Sequence, residues 1–174
     1  LALTTALQRI TTEYIELEDR VRLAGETGNG ERLVLWLTRR LLDRLVPHLV
    51  AWLEKSAGPQ APASRLYAEA RQGFARDAAR AGLRPEPPVP ASAASRSWLV
   101  GSVDVSLGEA SIRLNFKGLA ESDQACLDMR EAPLRQWLGI IHGLYLRAAW
   151  PTGPWPDWMG AAGAPAAQHG QLMH

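Results

Sequence analysis

Between Ser102 and Lys117 the residues alternate strictly, polar against apolar, on either side of a Gly108-Glu109-Ala110 turn. Val103, Val105 and Leu107 alternate with Ser102, Asp104 and Ser106 before the turn; Ile112, Leu114 and Phe116 alternate with Arg113, Asn115 and Lys117 after it. A period of two places every second side chain on one strand face, so this stretch reads as an antiparallel hairpin with one apolar side. A short apolar segment, Cys126, Leu127 and Met129, reads as a further strand. The period then becomes helical from about Pro133 to Ala149, with Leu134, Trp137, Leu138, Ile141, Leu144 and Tyr145 on one face.

The first part of the chain has the same order. Ile10 to Leu17 and Arg20-Val21-Arg22-Leu23 read as strands, Gly25 to Gly30 as a turn, and Leu33 to Leu37, apolar on both faces, as a central strand. Thr38 is placed as an N-cap for a helix carrying Leu42, Leu45, Val46, Leu49, and Trp52 or Leu53 on one face. Pro47 lies inside that helix and predicts a kink or two consecutive short helices, because proline lacks the backbone donor and clashes one turn back. The chain is therefore expected to be α+β: antiparallel sheets from two strand-turn-strand units, each followed by an amphipathic helix, with an extra Arg/Ala-rich helix between them. One domain is expected over residues 1–150. Its halves, 1–58 and 97–150, are joined by a helix over 65–81 and an extended linker over 84–95 that carries Pro85, Pro87, Pro88 and Pro90. Pro59 and Pro62 mark a loop, and residues 151–174 read as a Trp/Pro-rich strap followed by a flexible tail.

With 174 residues, 47% apolar and 21% charged, the composition is that of a globular chain. A net charge of +1 supplies no global field toward nucleic acid or an anionic membrane. Cys126 is the single cysteine, which excludes an internal disulfide framework and fits a reducing compartment. No apolar run is long enough to span a bilayer, and the N-terminus lacks the pattern of a signal peptide, so a cytoplasmic location is expected.

Few residues are arranged for chemistry. His48 and His142 stand alone on their helices, outside any H-x-x-x-H or H-x-x-E pattern, and His169 and His174 fall in the tail; no metal or other cofactor is expected. Cys126, flanked by Ala125 and Leu127, reads as a small buried hydrophobe, with a nucleophile paired at a distance with His142 as the enzyme alternative. There is no G-x-S-x-G, phosphate loop or G-x-G-x-x-G. Glu16 and Glu18 would form a paired-carboxylate site only on a shared strand face, and alternation with Ile15 and Leu17 explains them more simply.

Two compositional excesses remain. All but Lys55 and Lys117 of the 19 basic residues are arginine. Arg39, Arg40 and Arg44 on one helix, with Arg65, Arg71, Arg76 and Arg80 on another, are the candidate contacts of a nucleic-acid-binding alternative, although Asp43, Glu69 and Asp77 interleave as ordinary intrahelical partners. Of seven tryptophans, Trp36, Trp52, Trp98 and Trp137 fall at core or core-edge positions. The other three lie in the segment Trp150-Pro151-Thr152-Gly153-Pro154-Trp155-Pro156-Asp157-Trp158. There Trp150, Pro154, Trp155, Pro156 and Trp158 form either a linear docking motif for a protein partner or a cover over their own domain.

Val21-Arg22-Leu23, the strand Leu33 to Thr38 running into Arg39-Arg40-Leu41-Leu42, the hairpin Val103 to Phe116, and Cys126 to Met129 entering the helix at Leu134 follow one another in an order that resembles a known head domain. It is the globular head shared by the end-joining scaffold proteins of DNA repair and the centriolar cartwheel protein. The resemblance covers residues 10–149 and implies a non-enzymatic assembly module. Those heads usually continue their last helix into a long coiled coil, whereas here Pro151 ends it. The expected function is thus a non-catalytic assembly or adaptor protein that binds a protein partner or itself, as a homodimer, through the Trp-Pro segment or an exposed strand edge.

Overall fold

The computed structural model describes residues 4–56, 65–84 and 86–161. The loop with Pro59 and Pro62, Pro85, and the tail with His169 and His174 lie outside the described residues. The strands are β1 (Thr5–Ile15), β2 (Arg20–Thr27), β3 (Arg32–Leu37), β4 (Arg96–Leu99), β5 (Ser102–Leu107), β6 (Ser111–Lys117) and β7 (Gln124–Arg130). The helices are α1 (Arg39–Ser56), α2 (Arg65–Ala81), α3 (Glu131–Ala148) and α4 (Asp157–Ala161).

All seven strands join one sheet in the order β4-β3-β2-β1-β7-β6-β5. The expected pair of antiparallel sheets, one for each strand-turn-strand unit, is therefore wrong. β1 lies between the two halves, antiparallel to β2 and parallel to β7, with Leu7 opposite both Thr27 and Leu127. The α1 and α2 segment then carries the chain across, so that β4 pairs parallel to β3, with Leu35 opposite Trp98. Strand order is a long-range property, and alternation within a strand carries no trace of it.

The two outer strands are consecutive in the chain. Only Val100 and Gly101 separate β4 from β5; the Val100 N–H bonds to the Trp36 carbonyl and the Gly101 N–H to that of Lys117, so the sheet curls into a half-barrel around this corner. A register shift between Leu7 and Arg9 in β1 reverses the alternation, which lets Leu7 and Ile10, three positions apart, both pack on the concave side.

α1 and α3 fill the concavity. Thr38 Oγ1 accepts the Leu41 N–H and starts α1, whose Leu42, Leu45, Val46, Leu49, Val50, Trp52 and Leu53 are all buried, each contributing about 1.5–3 kcal/mol if fully desolvated. α1 runs through Pro47 as one helix and does not divide there. The proline is exposed while its neighbours Val46, Leu49 and Val50 are buried, so core packing outweighs one lost backbone hydrogen bond. Tyr145 on α3 donates to Asp43 on α1 at 2.6 Å, and the Trp137 indole donates to Thr12 Oγ1 on β1 at 3.0 Å.

The proline-rich linker covers the opposite, convex side. Val89 is buried on Ala24 and Val34; its N–H donates to Thr11 Oγ1 at 2.8 Å, and Arg9 Nη1 donates to the Pro87 carbonyl at 3.2 Å. Proline-rich backbone makes no ladder of its own, and these side chains from β1 take up part of its hydrogen-bonding capacity.

Candidate functional site

α3 ends where Ala149 takes a left-handed conformation, φ 53°, and the Trp150 N–H returns to the Tyr145 carbonyl. The strap beyond packs on its own chain, and all three of its tryptophans are buried. Trp150 stands edge-on to Tyr14 and Tyr145, and its indole donates to Asp19 Oδ1 at 2.9 Å. Asp19 also accepts from the Tyr14 hydroxyl, and these two hydrogen bonds, Trp150 first, hold its carboxyl below the usual carboxylate range. Trp155 meets Tyr145 and His142 edge-on, while Pro154 and Pro156 are half-buried on either side. Trp158 donates to Glu54 on α1 at 3.2 Å, and its ring faces the Arg135 guanidinium at 5.8 Å.

Between this strap, α2 and α3 a groove of about 560 Å³ remains open. Its chemistry comes from three arginines with different commitments, and among the described residues no carboxylate lines it. Arg76 is buried and fully engaged, with Nη1 donating to the Trp158 and Met159 carbonyls and Nε and Nη2 to Asp77. Arg135, only 4% exposed, binds Glu131 through Nε and Nη2 and leaves Nη1 buried without a partner among the described residues. Arg80 is exposed and bonds to no carboxylate among the described residues. Burial, and after it the charge of Arg76, keeps the His142 imidazole on the groove wall below its ordinary value, hence neutral near pH 7.

Gly139 and Gly143, one turn apart on α3, line the groove, and a β-carbon at either would meet nothing within 4 Å. Leu83, Ile140 and Leu146 line it as well, at 45%, 41% and 60% exposure. An apolar patch with a basic border is the make-up of a binding surface, since isolated exposed leucines do not share a concavity.

The other candidates are scattered. Arg39 pairs with Asp43 at 3.7 Å, Arg40 and Arg44 are exposed on α1, and Arg71 is half-buried on α2. Side chains 65–67, and so that of Arg65, lie outside the described residues. Cys126 and His142 are not brought together: Cys126 shares the polar sheet face with Arg113 and Asp128, while α3 packs on the other face. Burial pushes the Cys126 thiol up, away from the thiolate form. Glu16 and Glu18 lie in an exposed 3-10 turn, outside any strand face. Among the described residues no three His, Cys, Asp or Glu side chains approach closely enough for a metal ion, and no helix is long and apolar enough to cross a membrane.

Arg135, Gly139 and Gly143 are the residues that sequence reasoning missed. The signal was a Gly-x-x-x-Gly spacing opposite the apolar stripe of a helix, with an arginine beside that stripe. No family model, curated protein or solved structure matches the chain.

Proposed function

We propose that this protein is a non-catalytic assembly or adaptor module that holds a protein partner on the α2–α3 face. The observation that carries this reading is the open groove itself, apolar at Leu83, Ile140 and Leu146 and basic at Arg80 and Arg135. The Trp-Pro strap takes part by building one wall, with Thr152 and Met159 lining the groove, while its tryptophan rings stay in their own core. The element order that resembles the end-joining and cartwheel heads points to the same class of activity.

The test is a pull-down from native lysate with the full chain and a Leu83→Glu/Leu146→Glu variant. Both side chains are exposed, so the fold should survive at an unchanged melting temperature. A partner retained by the first and lost by the second supports the reading; equal retention by both overturns it.

A further inference from the structure

Two glycines in the middle of α3 have no internal explanation. Each weakens a helix interior relative to alanine, and glycine there normally makes room for a closely packed neighbour. No such neighbour is present among the described residues: space is open to 4 Å beyond the missing β-carbon at both Gly139 and Gly143. The room they leave is in the groove, whose lining includes Arg135, and Nη1 of that guanidinium is buried with no acceptor among the described residues. A buried donor without a partner carries its full desolvation penalty, and a charged guanidinium carries more than a neutral group. The local acids are already placed, since Asp77 binds Arg76 and Glu131 binds the other nitrogens of Arg135.

Resting on the assembly reading above, we infer that the groove takes a short segment of a partner protein that presents an Asp or Glu carboxylate between apolar side chains. The carboxylate would pair with the exposed Arg80 and reach Arg135 Nη1 as that guanidinium turns out of its cover, the segment's backbone would approach over Gly139 and Gly143, and its apolar side chains would cover Ile140 and Leu146. Charge complementarity chooses the acid: Asp77 and Glu131 neutralise Arg76 and Arg135, which leaves Arg80 in the lining as a cation without a carboxylate among the described residues. The extent of the apolar border favours a peptide over a small anion, because Leu83, Ile140 and Leu146 gain nothing from an isolated carboxylate.

The experiment is selection of a phage-displayed random dodecapeptide library on the intact chain, followed by titration of the enriched peptides against wild type, Arg80→Glu and Gly143→Leu. Trp158 beside Arg135 serves as the fluorescent reporter. Peptides with an acidic residue flanked by Leu, Ile or Phe are expected, with affinity falling at least tenfold in each variant and weakening as salt rises. Acidic peptides that bind both variants like wild type overturn the groove assignment and leave an assembly role elsewhere on the surface. Failure to enrich any peptide, with light scattering showing a monomer, overturns both readings. A dimer abolished by Gly143→Leu makes a second copy the occupant and overturns the inference.

Discussion

Arg76 on α2 donates through Nη1 to the backbone carbonyl of Trp158 at 2.8 Å, across 82 positions of sequence. The same nitrogen reaches the Met159 carbonyl at 2.9 Å, so one guanidinium binds two carbonyls of the short helix α4 and fixes the strap to α2. Arg76→Met should strand these carbonyls beside an apolar side chain. A loss of about 1–3 kcal/mol is expected, which lowers the melting temperature by roughly 2–12 °C in a chain of this size. Arg76→Lys should recover part of it, because a single ammonium can reach the carbonyls but not the Asp77 fork as well. A melt as high as wild type for Arg76→Met would show that the strap is held by other contacts.

Trp155 separates the two placements of the strap by stability alone. It is 7% exposed against Tyr145 and His142. Trp155→Ala is expected to destabilise the chain by about 3–5 kcal/mol, the usual cost of deleting a buried tryptophan. Truncation to residues 1–150 should cost at least as much. A linear motif awaiting a partner would instead tolerate both changes with its denaturant midpoint unmoved.

His142 makes stability depend on pH. Its folded-state value lies below the ordinary 6.5 because burial, and then the nearby Arg76, disfavour the imidazolium. Between the two values the unfolded chain binds the proton that the folded chain refuses, so the unfolded state gains. The contribution of His142 is complete above about pH 6.5, declines as pH falls below it, and levels off under the folded value. Denaturant midpoints at pH 7.5 and pH 5 should therefore differ more in wild type than in His142→Gln, and equal differences would remove His142 as the cause.

Gly118 should not accept a side chain. A β-carbon there would lie 2.6 Å from both Asp123 Cβ and the Trp98 ring, where the β6–β7 turn meets the edge strand β4. Gly118→Ala must displace Trp98, which is itself 8% exposed, and overpacking of this kind costs about 1–3 kcal/mol. Chemical denaturation measures it directly; a neutral result would mean that the turn shifts freely.

What could be read from the sequence follows from how local each signal is. β5 and β6 are carried by alternation within about 16 residues, and α3 by apolar residues at helical spacing, so both stand close to where the pattern put them. β4 is four residues, Arg96–Leu99, too short to show a period; it becomes a strand because β3 offers a free edge. α4 follows three prolines and forms because Trp158 and Met159 are buried against the helices.

The periodic elements, the Thr38 cap and the end of α3 ahead of Pro151 were legible from local pattern, since each depends on residues within a turn or a strand of one another. Tertiary structure decided the rest: that β1 joins the two halves in one mixed sheet, that the strap's tryptophans turn inward, and that Arg80, Arg135, Gly139 and Gly143 border one groove. The physical reason is that burial and pairing partners far apart in sequence are chosen by the packing of the whole chain, and neither the period of a segment nor its composition encodes which distant surface it will meet.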